Sequence, residues 1–381
     1  MNRFILNETS YHNFGAINAI ATETKARGFK KAFVCTDESL LKFKVTKKVL
    51  DVLENAKIAY QIFSDIKANP TVKNVLDGLK LFKDANCDYI IAVGGGSVID
   101  TAKAIGIIYN NPEHEDVLSL EGAVETKNKA VDIFAVPTTA GTAAEVTINY
   151  VITDENKQRK FVCVDPHDIP VVAFVDPDMM SSMPKMLTAS TGMDALTHAI
   201  EGYITKGAWE LSDMFHLKAI EIIARALPGA CNNDPKSRED MALGQYIAGM
   251  GFSNVGLGIV HSMAHPLGAL YDTPHGIANA IILPTVMEYN ACCTGEKYRD
   301  IARAMGVKNT ENMTSEEYRK AAVEAVRNLA IAVGIPQSLK GIVKKEDINF
   351  LAQSAYNDAC RPGNPKDTSV EDIAKLYKSL L

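Results

Sequence analysis

The chain has 381 residues, 47% of them hydrophobic and 23% charged, with a formal net charge of −6. That length gives two or three domains with a sizeable core, and the interspersed charges leave no basic stripe for nucleic acid. No window reaches the roughly 18 uninterrupted apolar residues of a membrane span, and MNRFILNETSYHNFG lacks the apolar run of a secretory signal. Seven cysteines at irregular spacing, without a CxxC pair, read as reduced thiols of a cytoplasmic protein.

In chain order, five β-branched runs predict strands: KKAFVCTD (30–37), AYQIFSDI (59–66), CDYIIAVGGG (87–96), DIFAVPTT (132–139) and VVAFVDP (171–177). Amphipathic stretches lie between them, VTKKVLDVLENA (45–56) and TVKNVLDGLKLFKDA (71–85) among them. Strand–helix alternation implies a parallel sheet covered by helices. Near DPDMMSSMP (176–184) the strand signal stops, and the pattern is helical to the end. The expectation is an α/β nucleotide-binding domain over 1–180 and an all-α domain over 181–381.

Two loops in the first half suit a nucleotide. IAVGGGSVIDTAK (91–103) runs from an apolar strand through three glycines and a serine into a helix. Glycines let backbone N–H groups and the helix dipole approach an anion, although the run departs from the G-x-G-x-x-G fingerprint. AVPTTAGTAAEVT (135–147) follows another strand with hydroxyls that suit phosphate, ribose or a nicotinamide amide. Open α/β sheets bind nucleotides at such strand ends. Asp37 closes a third strand. It reads either as an acceptor for a ribose diol, favouring NAD over NADP, or as the N-cap of the helix that begins at ESLLKFK.

The second half places titratable groups in apolar helices. Asp194 and His198 are i, i+4 in TGMDALTHAIEG (191–202), a helix that Thr191 or Ser190 would cap. His261 and His265 repeat the spacing in GIVHSMAHPLGALYDTPHG (258–276), and His275 sits at a turn before another helix. Buried carboxylates and imidazoles are costly unless paired. A divalent cation held by Asp194, His198 and two or three of His261, His265 and His275 resolves that cost. The donor set suits Fe(II), Zn(II), Co(II) or Mn(II). His12, His114, His167 and His216 lack such partners in sequence and read as structural. Phe252 reads as helix packing or as a wall narrowing a pocket, and Cys360 as a buried thiol or a residue approaching the site.

GGGSVIDTAKAIG, PTTAGTAAEVT, GMDALTHAIEGY and GIVHSMAHPLGALYDTPHG resemble, in the same order, the signature segments of the iron-containing (group III) alcohol dehydrogenase family. They span residues 94–276, and TINYVITDENKQRKFVCVDPHDIP with MGFSNVGLG indicates one subgroup. The resemblance implies the dehydroquinate synthase-like fold, with a cleft between an α/β and an all-helical domain. It implies metal ligands at Asp194, His198, His261 and His275, with His265 a non-ligand beside nicotinamide and substrate. Cofactor positions would be Asp37, Gly95, Gly96, Ser97, Thr138, Thr139 and Thr142, with Asn69, Asn149 and Lys160 further along. The implied activity is NAD-dependent and iron-dependent (zinc in some relatives). It interconverts a small aldehyde and alcohol, lactaldehyde and 1,2-propanediol first, with 1,3-propanediol, butanol or glycerol as alternatives. Lyase chemistry of the same fold would need a more basic pocket than the apolar run around His261 offers. A cytoplasmic homodimer, joined through an N-terminal strand, RFILNE (3–8), is the implied assembly.

Overall fold

The computed structural model describes residues 1–157 and 159–381; Gln158, inside the TINYVITDENKQRKFVCVDPHDIP run, lies outside the described residues. The chain divides into two compact units, Met1–Met183 and Pro184–Leu381.

The first unit is built on a six-stranded parallel sheet. Its strands are β1 (Thr9–His12), β2 (Lys31–Cys35), β3 (Ala59–Phe63), β4 (Tyr89–Gly94), β6 (Ile133–Pro137) and β9 (Val172–Val175), in the order β1-β9-β6-β4-β2-β3. A three-stranded sheet of β5 (Gly122–Ala123), β7 (Asn149–Asp154) and β8 (Arg159–Val164) stands beside it, with β7 and β8 antiparallel. Every β4 residue is buried, as expected of a strand covered on both faces. Phe33, Cys35, Ile90, Ala92, Ile133 and Ala135 enter one core, and Val34, Tyr89, Ile91, Val93, Phe134 and Val136 the other. Helices α1 (Ile20–Ala26), α2 (Glu38–Lys42), α3 (Val45–Asn55), α4 (Val72–Asp84) and α5 (Gly96–Asn110) connect the strands, and α6 (Pro177–Met180) ends the unit. Ile99, Ala102 and Ile105 of α5 fill the first core, while Val45, Val49 and Leu53 of α3 fill the second.

The second unit contains helices only. Around α7 (Lys185–Ile204) pack α8 (Glu210–Cys231), α9 (Pro235–Val255) and α11 (His275–Asn290). α10 (Ile259–Tyr271) lies against α11 and α14 (Ile348–Tyr356), with α12 (Lys297–Ala304), α13 (Ser315–Ala332) and α15 (Val370–Ser379) completing the unit. α7 is buried nearly all round from Thr188 to Ile204, the mark of a helix enclosed by others.

Three expectations need correction. α7 begins at Lys185 after Pro184, so Ser190 and Thr191 do not cap it; their hydroxyls donate to the Leu187 carbonyl from inside the helix, the back-bonding that lets Ser and Thr sit mid-helix. RFILNE carries no strand, and the edge strand is Thr9–His12, paired with Val172–Val175. The hairpin β7–β8 was absent from the five expected strands. No described helix is long and apolar enough to cross a membrane.

Candidate metal centre and nucleotide loops

Asp194, His198 and Glu201 lie at i, i+4 and i+7 on α7 and so share one face. His261 and His265 are one turn apart on α10, and His275 is the first residue of α11. The fold brings donor atoms of Asp194, His261 and His275 within 4.8 Å of one another. Asp194 Oδ1 stands 3.9 Å from His261 Nε2 and 3.6 Å from His275 Nε2. Ligands about 2.1 Å from one cation at the tetrahedral angle are roughly 3.4 Å apart, so these three are at coordination spacing. His198 lies at the edge of the group: its Nδ1 is 3.9 Å from Asp194 Oδ2 and its ring centroid 4.5 Å from that of His261. Phe252 stacks on His198 with ring centroids 4.2 Å apart and fixes its plane, the packing reading of that residue.

The imidazole chemistry suits a cation. Burial, reinforced by His198, His275 and His265, holds the His261 pKa well below the ordinary histidine range, so the ring stays neutral. Asn279, one turn after His275, donates its amide to Asp194 Oδ1 (2.7 Å) and faces Nε2 of His261 (3.2 Å) and of His275 (3.1 Å). Glu201 meets His261 from the other side, Oε2 to Nδ1 at 2.6 Å. Burial pushes its carboxyl up, against the N–H groups of Val260, His261 and Gly258.

His265 is outside this cluster and belongs to a second group with Asp358 and Cys360. Its Nδ1 is 2.7 Å from Asp358 Oδ2, and its ring stacks on His275 with centroids 5.4 Å apart. Burial alone would raise Asp358, but His265 and the Cys360 backbone N–H hold it down to about 2. Burial, with Asp358 beside it, pushes the Cys360 thiol well up. His216 is fully buried between Gly202 and Gly251, where a Cβ on either glycine would come within 2.4 Å of its ring. Burial takes its pKa down to about 3, a neutral packing wedge near His198.

In the first unit Asp37, Asn69, Gly95, Gly96, Ser97, Thr138, Thr139 and Thr142 follow the ends of four adjacent strands, β6, β4, β2 and β3, whereas Asn149 opens β7 and Lys160 lies in β8. Gly95 N-caps α5 with no side-chain cap, which leaves the helix dipole to face an anion. Cβ atoms on Gly95 and Gly96 would meet Thr139 and Thr142 at 3.2 and 3.0 Å, so the two loops are in close contact. Thr138 N–H donates to the Gly94 carbonyl (3.0 Å). Ser97 Oγ accepts from Asn69 N–H (3.4 Å), and Lys160 Nζ donates to Asn69 Oδ1 (2.7 Å), grouping Asn69, Ser97 and Lys160. Asn69 takes a left-handed φ of 62°, which Asn tolerates better than most residues. Asp37 caps α2, accepting from Leu40 N–H at 2.9 Å; a cap and a ribose contact use different edges of one carboxylate. Asn149 is tied to α5, its carbonyl accepting from Lys103 Nζ (2.9 Å).

Residues 7–177 match the iron-containing alcohol dehydrogenase model, and residues 188–381 the C-terminal model of the Fe-containing alcohol dehydrogenase family. The chain belongs to the iron-containing alcohol dehydrogenase family. Within that family it is 61% identical over 377 residues to lactaldehyde reductase of Escherichia coli K12, covering 99% of this chain and 98% of that one. It is 37% identical over 384 residues to the NAD-dependent methanol dehydrogenase of Bacillus methanolicus, covering all of both. A solved structure of 1,3-propanediol oxidoreductase superposes with a TM-score of 0.96 at 39% identity, covering all of both chains. The sheet order and helical half described above are thus a family fold, and the chain is an alcohol oxidoreductase.

Several residues escaped the sequence reading. Glu201 and Asn279 had a signal, each falling on the face of a helix that carries a candidate ligand. Asp358 had none: 93 residues separate it from His265.

Proposed function

We propose that this chain is an NAD(H)-dependent lactaldehyde reductase that interconverts lactaldehyde and 1,2-propanediol at a ferrous centre, with Zn(II) as the alternative ion. The observation that carries the reading is the convergence of one carboxylate and two imidazoles, neutral at His261, at coordination spacing, with Asp194 and His261 buried and His275 half-buried. A neutral imidazole and a carboxylate are the donors that Fe(II) and Zn(II) accept. In this reading Asp194, His198, His261 and His275 hold the metal in the second unit, and the first unit holds the dinucleotide. When bound, the cation polarises the carbonyl oxygen as a Lewis acid and NADH supplies the hydride.

The chain's own residues supply orientation and protons. Asp358 holds Nδ1 of His265, which leaves Nε2 to move a proton to or from the substrate oxygen. Gly95, Gly96 and Ser97 offer backbone at the start of α5 for the pyrophosphate, with Thr138, Thr139 and Thr142 beside them. Asp37 accepts from a ribose diol and repels a 2′-phosphate. Asn69, Asn149 and Lys160 are further polar positions on the cofactor side. A cytoplasmic homodimer completes the reading; seven cysteines without a disulfide among the described residues support a reducing compartment.

The test is an NADH absorbance assay with lactaldehyde, 1,2-propanediol, 1,3-propanediol and glycerol, each with Fe(II), Zn(II) or chelator. The reading expects the fastest turnover on lactaldehyde with Fe(II) and loss of activity in chelator. Preference for 1,3-propanediol would move the chain to the specificity named for its structural relative, and activity untouched by chelator would remove the metal.

A further inference from the structure

We infer that Glu201 is the positioning residue that fixes the imidazole of His261 for metal binding, an inference that rests on the metal reading above. Glu201 is 2% exposed and follows His198 by three residues on α7. Its Oε1 accepts from Val260 N–H (2.7 Å), and its Oε2 from His261 N–H (3.3 Å) and from Nδ1 of the same histidine (2.6 Å). One carboxylate therefore closes the N-terminus of α10 and grips the ring of the residue in its first turn.

The tautomer follows from the partners. Asn279 donates its amide to Asp194 Oδ1 and turns the same nitrogen towards His261 Nε2. A nitrogen facing a donor carries its lone pair outward, so the ring proton sits on Nδ1 and points at Glu201. Nε2 is then unprotonated on the side where Asp194 and His275 lie, the form a cation requires. Space for this arrangement is made by Gly258, the N-cap of α10. A Cβ there would meet Glu201 Oε1 at 2.8 Å and Asn364 Oδ1 at 3.1 Å. The sequence HAIEGY thus supplies from one helix a candidate ligand and, three residues on, the acceptor that orients a ligand on another.

Glu201→Gln separates the two duties. Its amide oxygen still accepts from Val260 N–H, while its NH2 group faces Nδ1 as a donor and drives the ring proton to Nε2, where it blocks coordination. The full-length wild type and variant are stripped of metal and titrated with Co(II) against a chelator of known affinity, and the visible spectrum of bound Co(II) is recorded. The expected result is Co(II) binding in wild type and about 10–100-fold weaker binding in the variant, with an altered spectrum. Equal affinity with an unchanged spectrum overturns the role of Glu201 and leaves the metal centre standing. Failure of wild type to bind Co(II) overturns the metal centre and this inference with it. The long-range proton–nitrogen spectrum of metal-free wild type, labelled in its histidines, needs no substitution. His261 protonated on Nδ1 supports the inference, and His261 protonated on Nε2 overturns it.

Discussion

Replacing Lys103 with methionine tests how the nucleotide loops are held. Lys103 lies on α5 and, like Asp168, is fully buried; its Nζ is 3.7 Å from Asp168 Oδ1. The ammonium donates to the Thr147 carbonyl (2.6 Å), the Thr147 hydroxyl (3.0 Å) and the Asn149 carbonyl (2.9 Å). It therefore pins the end of the threonine loop to the helix that opens with the glycines. Burial raises the Asp168 carboxyl well above its ordinary range, opposed chiefly by Lys103. Methionine keeps much of the aliphatic stem, removes the charge, and leaves the buried Asp168 carboxyl without its counter-charge and the Thr147 and Asn149 carbonyls without the ammonium. Breaking a buried pair by removing one partner costs about 3–5 kcal/mol, the loss expected for Lys103→Met in urea unfolding followed by circular dichroism. NADH affinity should fall with it, because Asn149 and the loop before it lose their anchor. Adding Asp168→Asn removes the group Lys103 compensates, so the loss in the double variant should fall short of the sum of the two single losses by about 0.5–3 kcal/mol. A double variant with the two losses simply added would refute the argument, since it would mean that the ammonium was not compensating Asp168.

Other outcomes follow from the same geometry. If Asp37 repels a 2′-phosphate as proposed, Asp37→Gly should shift the NAD/NADP ratio of kcat/KM towards NADP, at a stability loss of only a few tenths of a kcal/mol from the lost cap; an unchanged ratio leaves Asp37 a helix cap alone. His265→Ala should retain metal by elemental analysis and lose about 10²–10⁴-fold in kcat; loss of metal would place it among the ligands. Partial burial raises the Asp100 carboxyl to about 7, with Lys103, the Val151 N–H and Lys160 opposing. The folded state then holds an extra proton between about pH 4 and 7, so this group makes stability fall as pH rises through that window, by at most about 1.4 kcal/mol per pH unit. Asp100→Asn should flatten that slope in urea midpoints measured across the window, and an unaltered slope would contradict it.

Five of the six strands of the parallel sheet were legible. β2, β4, β6 and β9 are almost wholly buried and appear as apolar runs, and the half-buried edge strand β3 showed through Tyr60, Ile62 and Phe63. β1 was not, because Thr9–His12 is a half-buried edge strand of mostly polar residues. β7 and β8 alternate buried and half-buried residues, but Val151, Val162 and Val164 on the half-buried face and the buried Asp154 blur the period-2 signal. The start of α7 was misplaced because Ser190 and Thr191 look like caps until their hydroxyls are seen to bond within the helix.

At the site, the i, i+4 pairs were readable since helical spacing alone puts Asp194 with His198 and His261 with His265 on shared faces. Which histidine joins which acid was not readable. The fold sends His265 to Asp358 and His261 to Glu201, pairings made by tertiary packing across 93 and 60 residues.

The central claim is that Asp194, His198, His261 and His275 hold a catalytic cation. Its most direct test is the iron content of full-length protein reconstituted anaerobically with Fe(II) and desalted, compared with His261→Ala treated alike, with lactaldehyde-dependent NADH oxidation read on both samples. The account predicts iron and activity in wild type and neither in a folded His261→Ala. A variant that turns over lactaldehyde at the wild-type rate without bound metal would contradict it.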